Sequence, residues 1–329
     1  MNAKRSSSLL VITSLAALLI FAMLIAGCTG SGSTTPVATQ APTASPTVVA
    51  TIATAAPVST PAPVVTTAAP VSTGQKQTLK IGGSTTVTPI VQAAADKYIA
   101  AHPDADIQVS GGGSGVGIQA IGAKTVDIGM TSREVTAAEM TKYPSFVVTT
   151  VAQDGIAIIV NPVNTIPYIT LDQVKNIYLG KITKWSEITG ADVPGTNNQI
   201  VIVGRDSASG TRTYFDQTVL ASATPTNKML EKNSNGAVLQ TVAQTPGAVG
   251  YVSIGFVSKD VKALSIWYNA DKIVPASVDN VKTRTYPISR DLYVITNGKP
   301  SGLAGDFINY ILSPDGQKIV ADQGYVTLN

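Results

Sequence analysis

The sequence has few of the residues on which most enzymatic sites depend. Of its 329 residues one is histidine, His102, and one is cysteine, Cys28. A serine–histidine hydrolase and the common zinc sites each need imidazole or thiolate groups that this composition does not supply. A single cysteine also excludes a disulfide within the chain. His102 stands where a helix is expected to end and is interpreted as a surface residue.

Charged residues are also scarce, at 13% of the chain, and their distribution argues against a nucleic-acid partner. Residues 1–77 contain Lys4, Arg5 and Lys76 and no acidic residue, which accounts for the whole formal net charge of +3. Residues 78–329 therefore carry 20 basic and 20 acidic residues. A neutral domain has no excess of cations to neutralise a phosphate backbone, so we expect no nucleic-acid binding.

The N-terminus has the pattern of a secretory leader. Lys4 and Arg5 precede an apolar run over 9–26, and Leu24-Ile25-Ala26-Gly27 before Cys28 resembles a lipobox. We therefore predict a signal peptide over 1–27, lipidation of Cys28, and anchoring at the outer face of the cytoplasmic membrane. The alternative is an uncleaved signal anchor, since the run is nearly long enough to span a bilayer. Both interpretations place the rest of the chain outside the cytoplasm.

Residues 28–77 consist mainly of Thr, Pro, Ala, Val and Ser, and Ala-Ala-Pro-Val-Ser-Thr occurs at 55–60 and again at 68–73. Frequent proline favours extended backbone, and the lack of large apolar residues leaves nothing to offset the entropy of ordering. This composition predicts a disordered stalk, which also has the composition of an O-glycosylated spacer.

Strand-like and helical patterns alternate along residues 78–329. Apolar runs at 79–81, 107–109 and 200–203 are each followed by a helical pattern, and further strands are expected over 147–152 and 156–160. The alternation predicts an α/β fold with largely parallel sheets. A segment of roughly 250 residues is large for a single core and favours two lobes. Tyr178, Trp185 and Trp267-Tyr268 are interpreted as packing residues, and 303–320 as a terminal helix.

Four loops that follow strands carry glycine, hydroxyl and arginine residues. They are Gly82–Pro89, Ser110–Gly117, Thr131–Arg133 and Gly204–Thr211. Any one of them is ordinary, since Ser or Thr before a helix is most often an N-cap and a glycine run is most often a turn. Together they place hydroxyls, amides at helix N-termini and two arginines at the carboxyl ends of strands, where ligands bind in such sheets. This combination predicts an oxyanion site and lacks the Gly-Lys-Ser/Thr ending of a nucleotide P-loop.

Eight motifs occur in a fixed order along residues 78–329. They are Gly83–Thr86, Gly113–Gly117, Asp127–Arg133, Tyr178–Trp185, Arg205 with Ser209–Thr211, Gly247–Tyr251, Tyr286–Arg290 and Ser313–Lys318. In this order they resemble the PstS-type phosphate-binding proteins. The resemblance implies a two-lobed periplasmic-binding-protein-like fold of type II, each lobe a mainly parallel sheet flanked by helices, with the ligand in the interlobe cleft. It also implies crossings near Gly155 and near Pro287–Arg290, with lobe one over 78–155 and 288–329 and lobe two over 156–287.

The same resemblance implies a function outside the cytoplasm. The chain is expected to bind inorganic phosphate with high affinity and to deliver it to a membrane-embedded ABC permease, as a monomer, without catalysis, metal or cofactor. The implied phosphate ligands are Thr85, Thr86, Ser114, Ser132, Arg205, Ser209, Gly210 and Thr211. The secondary candidates are Ser84, Gly115, Arg133 and Asp206.

One position departs from the pattern of some family members. Those members carry, in the third loop, an aspartate that accepts the proton of phosphate and so helps to exclude sulfate, whereas this chain has Ser132 followed by Arg133. A related subgroup shares the Ser-Arg pair. The proton acceptor is therefore open, and Asp206, Asp154 and backbone carbonyls are the candidates.

Three alternative functions use the same residues. The chain could be an envelope-anchored sensor or interaction module that reports phosphate without delivering it, or a binder of sulfate, molybdate or tungstate. A phosphatase built from carboxylates and Arg205 is the remaining enzymatic alternative.

Overall fold

The computed structural model describes residues 76–189, 193–268 and 272–329. These residues belong to one unit of the chain. Cys28, the leader over 1–27 and the stalk up to residue 75 lie outside the described residues. Within the described ranges, no helix combines the length and apolar character needed to cross a bilayer.

The first half of this unit alternates strands with helices and ends in one long strand. Its elements are β1 (Gln77–Gly83), α1 (Thr88–Ala101), β2 (Ala105–Ser110), α2 (Ser114–Gly122), β3 (Ile128–Thr131), α3 (Ala137–Lys142) and β4 (Phe146–Val160). β4 has 15 residues and is a single strand where two were expected.

The second half has shorter strands and returns to the first half through β11. Its elements are β5 (Tyr168–Thr170), α4 (Leu171–Tyr178), α5 (Ser186–Thr189), β6 (Val201–Arg205), α6 (Gly210–Thr218), β7 (Leu230–Lys232), α7 (Asn235–Gln244), β8 (Ala248–Ser253), β9 (Lys262–Tyr268), β10 (Lys272–Val274), α8 (Val278–Lys282), β11 (Ser289–Asn297), α9 (Gly302–Leu312) and α10 (Pro314–Asp322). The expected terminal helix is thus two helices, because Pro314 begins a new one after Ser313.

The described strands form one connected sheet in the order β2-β1-β3-β11-β4-β8-β6-β7, and β9 joins it beside β4. The α/β class is confirmed, but the strand directions are mixed. Five pairings are parallel and five are antiparallel. The expectation of mainly parallel sheets is corrected here, because β4 and β11 run antiparallel to each other and to their other neighbours.

β4 and β11 connect two hydrophobic cores. β4 pairs with β11 as far as Gly155, and from Ile156 onward it pairs with β8 and β9. The first core draws its buried residues from 79–152 and 292–325, and the second draws them from 156–288 together with Val326. We propose that the two lobes meet along this change of core, as the expected boundaries place them.

Large aromatic residues occupy both the core and the surface. Tyr178 and Trp185 are fully buried in the second core, and the Trp185 indole donates to the Gly247 carbonyl at 3.1 Å. Trp267 and Tyr268, at the end of β9, are 41% and 40% exposed. His102 is the exposed C-cap of α1, and its ring stacks on Tyr98.

Candidate functional site

Loops from both halves meet in one buried cluster of hydroxyl groups. Thr86 Oγ1, after β1, lies 2.9 Å from Thr211 Oγ1 in the first turn of α6. Ser114 Oγ, at the start of α2, lies 3.3 Å from Ser132 Oγ after β3 and accepts from the Ser132 amide at 3.0 Å. These four side chains are at most 1% exposed. The structure thus brings together hydroxyls that lie up to 125 residues apart.

Small residues allow the loops to come this close. A Cβ at Gly210 would collide with Ser114 Oγ and lie 2.9 Å from Ser132 Oγ. Gly113 has φ +98°, and a Cβ there would lie 2.6 Å from the Ala208 carbonyl oxygen. The Gly115 amide donates to that same carbonyl at 3.0 Å. The loop before α2 therefore contacts the loop before α6 directly, and only glycine fits at these contacts.

Arg205 ends β6 beside the hydroxyl cluster and is 1% exposed. Its Nη2 donates to Thr85 Oγ1 at 3.1 Å, and its Nε donates to the Lys232 carbonyl at 3.2 Å. Its Nη1 is buried and has no hydrogen-bond partner among the described residues. Burial lowers the pKa of this guanidinium to about 10, so it is still a cation at neutral pH. A buried cationic donor without a partner indicates a place for an anion.

Helix N-termini add further donors to the cluster. α2 begins at Ser114 and α6 begins at Gly210, so the first amides of both helices lack intrahelical acceptors at this point. Ser209 is the N-cap of α6, and its hydroxyl accepts from the Arg212 amide at 3.2 Å. Anions bind well at such helix ends, because the amide groups and the helix dipole both favour negative charge.

A buried ion pair that the sequence did not predict links β4 to β11, and it includes Asp154, one of the candidate proton acceptors. Asp154 and Arg290 face each other in the register of the two strands. Asp154 Oδ2 accepts from Arg290 Nη2 at 2.7 Å and from Arg290 Nε at 3.0 Å, and Asp154 Oδ1 accepts from Ser253 Oγ at 2.7 Å. Burial raises the pKa of the Asp154 carboxyl, and Arg290 and Ser253 act against that rise.

Arg290 also connects the ion pair to the hydroxyl cluster. Its Nη1 donates to the Ser132 carbonyl at 2.9 Å, and its Nη2 donates to Thr211 Oγ1 at 3.1 Å. Because both oxygens of Asp154 accept from Arg290 and Ser253, this carboxylate acts as a counter-ion to Arg290. Asp154 is therefore poorly suited to accept a proton from a ligand.

Asn235 is a site residue that sequence reasoning missed. It begins α7 and is fully buried. Its Nδ2 donates to Thr86 Oγ1 at 3.0 Å and is 3.5 Å from Thr85 Oγ1, while its Oδ1 accepts from the Ser253 amide at 3.2 Å. An Asn after a Ser at a helix start is typical of capping, so the local sequence carried no sign of this role.

The secondary candidates for phosphate ligands differ in the contacts that they make. Ser84 Oγ accepts from the Thr86 amide at 3.2 Å and supports the first loop. Arg133 forms two hydrogen bonds of 2.8 Å with the Glu139 carboxylate, which lowers the pKa of that carboxyl to about 2. Asp206 is partly exposed, and its Oδ1 is buried without a hydrogen-bond partner among the described residues. Arg133 thus forms an ion pair with Glu139.

The arrangement can bind a small oxyanion by hydrogen bonds alone. Arg290 is neutralised by Asp154, whereas Arg205 has no ion-pair partner among the residues that the structure describes. The described residues contain no group of three His, Cys, Asp or Glu side chains that could hold a metal ion. Converging N–H and O–H donors around one uncompensated cation form a typical site for a tetrahedral oxyanion.

Comparison with known proteins identifies the family of this chain. Residues 36–315 match the family model described as a PBP superfamily domain. The phosphate-binding protein PstS of Bacillus subtilis is 39% identical over 251 residues, which cover 76% of this chain and 80% of that protein. PstS of Borreliella burgdorferi is 28% identical over 260 residues, which cover 76% of this chain and 90% of that protein.

Solved structures of proteins from phosphate ABC transporters are also similar to this chain. A substrate-binding protein from Clostridium perfringens, assigned to a phosphate ABC transporter and solved with bound phosphate, is 31% identical with a TM-score of 0.69 and covers 77% of this chain and 100% of its own. An ABC-type phosphate transport receptor from Vibrio cholerae is 32% identical with a TM-score of 0.61 and covers 76% of this chain and 99% of its own.

Proposed function

Because the chain belongs to the PstS-type phosphate-binding proteins of the PBP superfamily, we propose that it binds inorganic phosphate outside the cytoplasm and delivers it to an ABC transporter. The observation that carries this proposal is the buried Arg205 Nη1, which has no partner among the described residues, on a guanidinium whose Nη2 donates to Thr85 Oγ1. The relatives are binding proteins, and the chain acts without catalysis.

In this proposal the ligand lies between the loops that close the two lobes on each other. Thr85 and Thr86 contribute hydroxyl groups from the loop after β1, and Ser114 and Ser132 contribute hydroxyl groups from the loops after β2 and β3. Arg205, Ser209, Gly210 and Thr211 complete the shell from the other lobe. The bond between the Gly115 amide and the Ala208 carbonyl supports this arrangement, because it joins the two sides where the ligand would be enclosed.

The strength of binding follows from the number of donors. A hydrogen bond to a charged group contributes about 1.5–3 kcal/mol net. A handful of such bonds leaves about 8 kcal/mol, equivalent to micromolar affinity, after the cost of ordering two lobes. A site of this kind needs no positive surface, in agreement with the balance of 20 basic and 20 acidic residues over 78–329.

Delivery to a permease requires that the domain stay near the membrane. We propose that lipid on Cys28 anchors the mature chain to the outer face of the cytoplasmic membrane and that residues 28–77 act as the stalk. A monomer satisfies this role, since the donor set described above comes from a single chain. The uncleaved signal anchor over 9–26 is the alternative, and the mass of the mature N-terminus distinguishes the two.

Calorimetry of the purified full chain with phosphate, arsenate and sulfate tests the proposal. We expect micromolar or tighter binding of phosphate and arsenate, and a loss of at least about 100-fold in Arg205→Gln, which removes two or more charge-assisted bonds. Arg284→Gln is the matched control, because Arg284 forms an exposed ion pair with Asp291 outside the cluster. Tight sulfate binding without a phosphate signal, or phosphate release from a phosphoester that falls in Arg205→Gln, would overturn the assignment.

A further inference from the structure

The hydroxyl pair of Thr86 and Thr211 has almost no free hydrogen-bonding capacity. Two hydroxyls together hold four acceptor lone pairs and two hydrogens. One lone pair of Thr86 accepts from Asn235 Nδ2 at 3.0 Å, and one of Thr211 accepts from Arg290 Nη2 at 3.1 Å. The bond between the hydroxyls, at 2.9 Å, uses one hydrogen and one lone pair. The remaining lone pair faces Arg290 Nη2, 3.5 Å from Thr86 Oγ1.

Apart from this lone pair, which faces a donor, the pair has one O–H hydrogen left. Thr85 is in the same condition, because its Oγ1 accepts from Arg205 Nη2 at 3.1 Å and lies 3.5 Å from Asn235 Nδ2. All the nitrogen atoms that face these hydroxyls are donors. Guanidinium nitrogens have no acceptor capacity, and the Asn235 amide is oriented by the Ser253 N–H, which donates to its Oδ1.

We propose that Asn235, together with Arg290, sets the hydrogen-bond direction of Thr85, Thr86 and Thr211, so that Thr85 and the Thr86–Thr211 pair each present one O–H hydrogen to a bound anion. This proposal rests on the proposed phosphate binding and specifies the charge state that the site selects. A shell that offers hydrogens favours unprotonated oxygens, so the site binds the phosphate dianion. When the monoanion enters, one P–O–H bond gives up its proton to the solvent and the dianion remains in the site.

One hydroxyl in the cluster keeps an acceptor for the single hydrogen of the dianion. No N–H group among the described residues donates to Ser132 Oγ, whose contact is the Ser114 hydroxyl at 3.3 Å. Ser132 thus differs from Thr85, Thr86 and Thr211, whose lone pairs face nitrogen donors. Ser132 Oγ can therefore accept the hydrogen of the dianion.

The charged and titratable groups around the cluster do not themselves release a proton when phosphate binds. They are Asp154 on β4, Arg205 and Asp206 at the end of β6, Tyr251 on β8, Arg290 on β11, and Tyr325, whose hydroxyl donates to the Thr86 carbonyl at 2.8 Å. Burial raises the pKa of both tyrosines above their ordinary value. A carboxylate beside an arriving anion takes up a proton, which is opposite in sign to the release expected from the ligand.

Calorimetry at pH 6 in buffers of different ionisation enthalpy measures the protons released per phosphate bound. Phosphate is mainly the monoanion at this pH, because its second ionisation lies nearer neutrality, so we expect the wild-type full chain to release about one proton. Affinity should fall by roughly tenfold from pH 8 to pH 6 as the dianion becomes scarce. A release near zero in a protein that binds phosphate would overturn the inference and leave the proposed function intact.

Asn235→Asp should reverse the donor and acceptor roles of the Thr86 and Thr211 hydroxyls. The introduced carboxylate accepts from Thr86, Thr86 then accepts from Thr211, and Thr211 accepts a hydrogen from the ligand. We expect proton release to fall below about half a proton and the tighter binding to move from pH 8 to pH 6. Asn280→Asp is the matched control, since Asn280 also lies in the first turn of a helix but bonds the Pro275 carbonyl outside the cluster.

Asn235→Ala is the second variant, in case the carboxylate prevents folding. It frees one lone pair of Thr86 without adding charge, so proton release should lie between the values of the wild type and Asn235→Asp. Equal release in Asn235→Ala, Asn280→Asp and the wild type would overturn the role of Asn235. Absence of phosphate binding in the wild type would instead refute the proposed function.

Discussion

Gly210→Ala should prevent phosphate binding while leaving the unliganded fold intact. Gly210 is the first residue of α6, where alanine is at least as favourable as glycine for the helix itself. The added methyl group would collide with Ser114 Oγ and lie 2.9 Å from Ser132 Oγ. Both hydroxyls belong to the proposed opposite lobe. The substitution therefore acts against closure of the site rather than against folding of either lobe.

The size of the effect follows from the contacts that the collision would separate. Moving the start of α6 away from Ser114 and Ser132 lengthens the bonds that Gly210 and Thr211 would make to the anion. Loss of two charge-assisted hydrogen bonds costs about 3–6 kcal/mol. This corresponds to a factor of about 10² to 10⁴ in Kd.

Calorimetry and thermal unfolding with and without phosphate provide the assay. Phosphate should raise the Tm of the wild type and leave that of Gly210→Ala almost unchanged, because ligand stabilises only the state that binds it. Gly236→Ala is the matched control, since it lies in the first turn of α7 and a Cβ there has no atom within 4 Å. If Gly210→Ala binds phosphate within about threefold of the control, the proposed closure at this contact is wrong.

Three further predictions concern the surroundings of the site. Asp154→Asn should lower the free energy of unfolding in urea by about 3–5 kcal/mol, because it leaves the buried Arg290 guanidinium without its carboxylate partner; a loss below about 1 kcal/mol would show that the pair contributes little. Arg133 holds the folded-state pKa of the Glu139 carboxyl below its unfolded value, at about 2, so this pair should stabilise the fold above the unfolded pKa and lose that contribution as the pH falls towards 2. The unfolding curves of the wild type and Glu139→Gln should therefore converge in acid, and a constant difference would contradict the assigned pair. Trp267→Phe should remove the fraction of tryptophan emission that acrylamide quenches, leaving the blue-shifted emission of the buried Trp185, whereas easily quenched emission in this variant would contradict the burial of Trp185.

Much of the fold could be predicted from local pattern, and β4 shows where such prediction ends. Apolar runs at 147–152 and 156–160 indicated two strands, because Gln153 and Asp154 interrupt them with polar residues. In the structure these residues continue the strand, and Asp154 is buried against Arg290 on β11. Asp154 is satisfied by Arg290, which lies over 130 residues away on β11. Local sequence does not indicate which distant strand pairs with a given segment.

The candidate site, too, could be predicted from the sequence only in part. Loops with glycine and hydroxyl residues after strands were recognisable, because each places its own amides and side chains at a sheet edge. Asn235 follows the three-residue strand β7 and has the appearance of a capping residue, so its role appears only when Thr86 is placed beside it. Arg290 belonged to an expected motif, but its contacts with Ser132 and Thr211 depend on the passage of β11 between the two cores.

A crystal structure of the chain with phosphate tests the central claim most directly. The claim is that the anion occupies the cluster around Arg205, where Nη1 is buried and has no partner among the described residues. The account predicts a phosphate oxygen within hydrogen-bond distance of Arg205 Nη1, and further oxygens in contact with the hydroxyls of Thr85, Ser114 and Thr211. Phosphate bound elsewhere on the chain, with Arg205 Nη1 still without an acceptor, would contradict it.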